Sequence, residues 1–146
     1  MENNRLSDED YNSIYSRVPR VCIDLVIKTP DGILLTLRKI EPHKDTWHFP
    51  GGRIKWNETI EQAANRISSA EIGTEVKISS VLGYMDIFES QEGNPRHTVS
   101  IVLSVTPKNN EVKGSWQAEK IQYFSKMPEK MHPDHGKFLI ENGILK

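Results

Sequence analysis

The chain has 146 residues, with 19 Lys and Arg against 20 Asp and Glu and a formal charge of −1. That length suits one domain with its own core, spanning residues 1–146, and the balanced charge argues against nucleic acid as partner while leaving room for a small anionic ligand. The one cysteine, Cys22, excludes an intrachain disulfide and fits a reducing, cytoplasmic setting; the acidic opening MENNRLSDED lacks signal-peptide character, and no apolar run nears the roughly 20 residues a bilayer span needs.

In chain order, residues 8–17 read as a short helix with an acidic start, part of an N-terminal extension over 1–18 that Pro19 closes. Residues 20–28, rich in Val and Ile, predict a buried strand with Cys22 as a small core residue. Pro30-Asp31-Gly32 is a turn, and residues 33–38 return as the second strand of a hairpin. A polar loop, 40–46, leads to the alternating Trp47-His48-Phe49, which stops at Pro50-Gly51-Gly52. Residues 59–72 have helical spacing, with Ile60, Ala63, Ala64 and Ile67 along one stripe. Thr59 and Gln62 fit a capping box, and Gly73 fits the terminating position. Strands are expected at 75–88, 97–105 and 119–125, separated by turn-rich loops at 91–95 and 107–117. A last helix runs over 132–142 and stops at Gly143. The order predicts an α+β fold, an α/β/α sandwich around a mixed sheet.

The chemistry concentrates in residues 50–76, PGGRIKWNETIEQAANRISSAEIGTEV. Gly51 and Gly52 let backbone approach a ligand or ion closely. On the helix, Ile60, Ala64, Ile67 and Glu71 lie on one line, so an apolar stripe ends in a carboxylate. Burying a carboxylate is costly unless it is paired or binds a metal. Magnesium takes oxygen ligands, commonly one or two carboxylates completed by substrate phosphates. The Gly51 carbonyl with Glu71 makes such a half-site.

This segment resembles the Nudix box, with Gly52, Glu58, Arg66, Glu71 and Gly73 at the matching positions and Trp47, Phe49, Pro50 and Gly51 leading into it. The resemblance implies a Nudix fold and hydrolysis of a nucleoside diphosphate derivative. The chain departs from the pattern where Ile67 and Ala70 replace two glutamates, and more mildly at Ser68 and Thr74. The same two losses occur in the GDP-mannose glycosyl hydrolases of the family, in which water attacks the anomeric carbon and releases sugar and nucleoside diphosphate. Likeness to that subgroup implies one magnesium ion held by Gly51, Glu71 and Gln117. It further implies that Arg38 and Arg53 neutralise the leaving diphosphate, that Asp24 is the acidic residue of the first strand, and that Arg66 orients Glu58. The subgroup's histidine base falls on Ala118 and a second histidine near Ile87, which leaves Glu119 and His97 as candidate bases. Subgroup members are dimers, so a homodimer is an expectation, with helix 8–17 one place for the contact.

Plainer readings stand beside these. Asp24 could be paired structurally with an arginine, Gln117 could be an ordinary loop residue, and His97 an ordinary strand residue. His43, His48, His132 and His135 are scattered without zinc-ligand spacing, so no zinc site is expected. Trp56 and Trp116 are candidates for stacking on a base or sugar, and Trp47 for the core. Three functions follow: hydrolysis of a nucleoside diphosphate sugar at carbon, pyrophosphate hydrolysis with Asp86 or Glu89 restoring metal ligands, or nucleotide-sugar binding without turnover.

Overall fold

A computed structural model describes residues 5–109, 112 and 118–145, with the backbone alone at 118 and 119. The elements are α1 (Asp8–Tyr15), β1 (Arg20–Thr29), β2 (Gly32–Arg38), β3 (Trp47–His48), β4 (Gly51–Arg53), α2 (Ile60–Ile72), β5 (Val76–Gln91), β6 (Asn94–Pro107), β7 (Ala118–Phe124) and α3 (Pro133–Glu141). The strands run in the order β3-β2-β1-β6-β5, with β4 also paired to β1 and β7 to β2. β1 and β6 are parallel and the other pairs antiparallel, so the sheet is mixed.

The two-residue period of β1 divides its side chains between two cores. Ile23, Leu25 and Ile27 pack on Ala63, Ala64, Ile67 and Ile72 of α2. Val26, on the opposite face, joins Leu35, Phe49 and Val102 against Phe138 and Leu139 of α3. This is the expected α+β sandwich, with one helix on each face. The alternation also turns Asp24 toward the α3 side, two residues before Val26. The antiparallel pairing of β1 with β4 then sets Asp24 opposite Gly51.

The caps of α2 form as the sequence predicts. Thr59 and Gln62 make the reciprocal capping box, and Gly73 closes the helix at φ +76°, where a Cβ would be strained. Of the expected stripe, Ala63, Ala64, Ile67 and Glu71 are buried, while Ile60 at the first turn is exposed.

The expected loop at 91–95 is instead a two-residue hairpin. β5 and β6 stay paired out to Gln91 and Asn94, and Glu92 and Gly93 turn the chain at φ +50° and +79°. Positive φ at both central residues matches the right-handed twist of the flanking strands, and Gly93 supplies it readily. The extension carries Glu89 along β5 toward the site. α1 folds back onto its own chain: the Arg20 guanidinium donates to the Tyr11 hydroxyl at 2.7 Å, and Arg96 donates to the Asn12 side-chain oxygen. No helix of the described residues is long and apolar enough to cross a membrane.

Candidate active site

Gly51 is the hinge of the site. Glu71, at the C-terminal end of α2, accepts the Gly51 N–H through Oε2 at 3.0 Å. Asp24 presses against the other side of the same residue, because a Cβ on Gly51 would lie 2.2 Å from Asp24 Oδ1 and 2.6 Å from the Ile23 carbonyl oxygen. Asp24 and Glu71 are therefore drawn together by one glycine, at only 7% and 9% exposure. Gly51→Ala is expected to cost about 1–3 kcal/mol in thermal or denaturant unfolding, since the methyl must displace Asp24 or the β1 backbone.

Burial pushes the Asp24 carboxyl up to about 7, against the opposing hydrogen bond from the Ser100 hydroxyl. Burial likewise raises Glu71 to about 8; the Gly51 hydrogen bond lowers it, and the negative charge of Asp24 raises it further. Among the described residues no Lys or Arg forms an ion pair with either carboxyl. Two buried acids with no ion-paired protein cation, the Arg38 and Arg66 charges lowering Glu71 only from a distance, are a donor set suited to a hard divalent ion, which would hold both ionised. The Gly51 amide N–H, rather than its carbonyl, is the group seen to meet Glu71.

These groups open into a cavity of about 250 Å³. Arg38, at the end of β2, lines it and donates its Nε–H to the Ile40 carbonyl at 3.0 Å. Arg53 of β4 lines it too, its guanidinium 5.7 and 5.6 Å from the ring centres of Tyr11 and Tyr15. The N-terminal helix thus serves as a backing for a site cation. Arg66 does not enter the cavity. It grips Glu58 through two hydrogen bonds, 2.7 and 2.9 Å, and donates to the Arg53 carbonyl at 2.8 Å, tying the loop before α2 to β4. The Arg66 hydrogen bonds hold Glu58 below the usual carboxylate range.

Several expectations are corrected. Cys22 is half-buried at the cavity wall rather than in the core; β1 pairs with β4 there and turns it toward the opening. His97 lies outside the cavity, stacked on Phe88 with Nε2 3.6 Å from Asp86, because both stand on the β5–β6 ladder away from β4. Asp86 is half-exposed there and lines a different depression, whereas Glu89 reaches the site. Trp56 is exposed and is not in the cavity wall; Trp47 packs against the α3-side core. Gln117 and Trp116 lie outside the described residues, as does the side chain of Glu119.

The largest correction concerns the histidines. His43, His48, His132 and His135, far apart in sequence, converge on one wall of the cavity. Ring centres of His43 and His132 are 4.3 Å apart and those of His132 and His135 4.4 Å. His135 Nδ1 accepts the Phe49 N–H at 3.0 Å, so the neutral ring carries its proton on Nε2, 4.0 Å from Asp24 Oδ1. His48 does the reverse: its Nδ1–H donates to the Phe49 carbonyl at 2.7 Å, leaving a lone pair on Nε2. Burial lowers His48 and His132 to about 4 and holds His135 well below the usual histidine value, so all three are neutral at pH 7. The one local signal was His132 beside Pro133, a helix start; nothing in the spacing showed that α3 would return its first turn to the loop after β2.

The site thus stands on a mixed sheet between two helices, where a Gly-Gly turn feeds a capped helix whose last turn carries a buried glutamate. The NUDIX domain model matches residues 18–141. The low-salt glycan biosynthesis protein Agl8 of Haloferax volcanii is 32% identical over 133 residues, covering 88% of this chain and 85% of that protein. An ADP-ribose pyrophosphatase of Methanocaldococcus jannaschii is 33% identical over 124 residues, 83% of this chain and 71% of that protein. Among solved structures, a MutT NUDIX hydrolase from Burkholderia pseudomallei superposes with a TM-score of 0.69 at 23% identity, over 84% of this chain and 97% of that one. The chain belongs to the Nudix hydrolase family.

Proposed function

We propose that this protein is a magnesium-dependent hydrolase of a nucleoside diphosphate sugar, of the GDP-mannose or GDP-glucose kind, releasing the sugar and an intact nucleoside diphosphate. The observation that carries the reading is the poverty of carboxylates on α2. Glu71 alone of that helix reaches the cavity, and Ile67 lies buried beneath Gly52 where the family pattern has a glutamate, its Cδ1 3.4 Å from the place a Gly52 Cβ would take. Attack at phosphorus in this family uses several helix-borne carboxylates. Attack at the anomeric carbon needs chiefly a stabilised diphosphate leaving group.

Asp24 and Glu71 would hold the ion, with the Gly51 carbonyl and Gln117 as further oxygen donors. When bound, magnesium would supply charge neutralisation to the departing diphosphate. Arg38 and Arg53 face the same cavity and would take the remaining phosphate charge, planar guanidinium matching paired oxygens. In the reaction, water oxygen bonds to the anomeric carbon and the bond from that carbon to the β-phosphate oxygen breaks, its electron pair leaving with the nucleotide. The water proton passes to a histidine of the cavity wall, His48 Nε2 having a lone pair once Nδ1–H donates to Phe49, in place of His97, which lies outside the cavity. Glu119, whose side chain is outside the described residues, stands as the other candidate acceptor. The name of the Methanocaldococcus relative, an ADP-ribose pyrophosphatase, supports a ligand joining a sugar to a nucleotide and, for the bond cleaved, attack at phosphorus. That of the Haloferax relative supports a link to glycan biosynthesis.

Cleavage at phosphorus is the second reading, favoured by Glu89, a third carboxylate that reaches the cavity from β5. Incubation with a panel of nucleoside diphosphate sugars and magnesium separates the two by products. Free sugar with nucleoside diphosphate is expected; sugar phosphate with nucleoside monophosphate establishes the second reading. Binding without turnover across the panel would make the protein a sensor.

A further inference from the structure

The histidine wall of the same cavity has a different chemical character from the Asp24–Glu71 pair. His43, Glu89 and His132 each offer one ligand atom, and these atoms lie within 4.8 Å of one another. His43 Nε2 is 3.2 Å from Glu89 Oε2. Two ligands about 2.0–2.2 Å from one tetrahedral ion stand roughly 3.4 Å apart, so the His43–Glu89 edge already has the required span. A modest rotation of the His132 side chain completes the triangle.

Each of the three is held by a separate element. His43 sits in the loop after β2 at φ +63°, a left-handed conformation uncommon for a residue with a Cβ, and Asp45 follows at +66°. The Thr46 N–H and hydroxyl both donate to the His43 carbonyl and fix that turn. Glu89 of β5 accepts from Arg20 at 3.4 Å. His132 caps α3, its Nδ1 accepting the Asp134 N–H at 3.2 Å. The other two histidines are tied to the Phe49 backbone.

We propose that His43, Glu89 and His132 form a binding site for a borderline-soft divalent ion such as zinc, separate from the hard-oxygen site at Asp24 and Glu71. Two imidazoles and one carboxylate with an open fourth position are the ligand set of a catalytic type of zinc site, whereas magnesium selects oxygens. Binding through His132 Nε2 moves the ring proton to Nδ1 and releases the Asp134 N–H, a long and weak hydrogen bond, to water. The Arg20 contact leaves Glu89 Oε2 free to ligate. The site depends on Glu89 ligating here with His43 and His132, and not joining Asp24 and Glu71 at magnesium as the second reading would have it.

The test uses the full chain, stripped with a chelator and kept in excess magnesium. Zinc titrated calorimetrically is expected to bind at one equivalent, and cobalt(II) to develop the visible absorption of a low-coordinate nitrogen-ligated ion. His43→Asn, whose side chain tolerates positive φ, Glu89→Gln, and His132→Asn, which retains a capping oxygen, should each lower zinc affinity by at least about tenfold. Glu71→Gln and Cys22→Ser should leave it unchanged. Zinc binding that survives His43→Asn and Glu89→Gln, that is lost instead in Cys22→Ser or His97→Asn, or that fails to occur in excess magnesium overturns the proposal and reduces the cluster to an ion pair. His43→Asn and Glu89→Gln decide the matter if the helix-capping variant does not fold.

Discussion

Replacing Glu71 by Gln is expected to lower kcat by at least about a hundredfold and to abolish the magnesium dependence of turnover, while leaving the folded state as stable as before. The size follows from removing charge stabilisation of a leaving group, where a single well-placed group is commonly worth 10²–10³. The retained stability follows from the carboxyl's surroundings. Glu71 is 9% exposed and its pKa stands near 8, so in the metal-free protein at pH 7 it is largely the neutral acid. A Gln oxygen can accept the Gly51 N–H just as Glu71 Oε2 does at 3.0 Å. Steady-state kinetics and a thermal melt on the same preparation check both halves. Loss of activity together with loss of fold would mean that the glutamate is structural, and retained activity would remove it from the site.

The pH dependence of stability in the metal-free protein should be a peak near pH 6.5 that a divalent cation broadens on its alkaline side. Asp24 and Glu71 have folded pKa values raised from 3.8 and 4.5 to about 7 and about 8. Groups raised in this way contribute stability at pH below their unfolded values and lose it as pH climbs toward the folded ones. His48, His132 and His135 are lowered from 6.5, the first two to about 4, so their contribution is present above pH 6.5 and lost as pH falls. Between about pH 4.5 and 6.5 the unfolded chain binds three histidine protons and the folded chain two carboxyl protons, so stability rises with pH. Above 6.5 only the carboxyl protons remain in the balance and stability falls. Each unbalanced proton is worth about 1.4 kcal/mol per pH unit. Asp24→Asn should flatten the alkaline limb, as should magnesium, which supplies the positive charge both carboxylates lack. Melts from pH 5 to 9 with and without the ion read this directly; a metal-free stability that keeps rising above pH 7 would contradict the buried, uncompensated pair.

What the sequence made legible was local. The capping box at Thr59 and Gln62, the Gly73 stop and the stripe ending in Glu71 are written in residues three or four apart, and α2 forms as they require. The Val- and Ile-rich run at 20–28 located β1 as a buried strand. The hairpin at Glu92-Gly93 was obscured because Gly93, Asn94 and Pro95 together have a loop's composition, while the pairing that overrides it comes from the long β5–β6 ladder. The histidine wall was invisible for a related reason. His43, His48, His132 and His135 meet only because β3 pairs with β2 and α3 returns to the α3-side core, contacts between residues up to ninety positions apart that no spacing rule registers. Asp24 came forward only through likeness to the subgroup, and its place against Gly51 depends on the β1–β4 register.

The most direct test of the account is turnover of a nucleoside diphosphate sugar in water enriched in ¹⁸O, with the nucleotide product isolated and weighed by mass spectrometry. Attack at the anomeric carbon predicts nucleoside diphosphate carrying no heavy oxygen, because the bridging oxygen leaves with the phosphate. Heavy oxygen in the diphosphate, or a monophosphate product of either mass, would contradict it and assign the cavity of Asp24, Glu71 and the two arginines to chemistry at phosphorus.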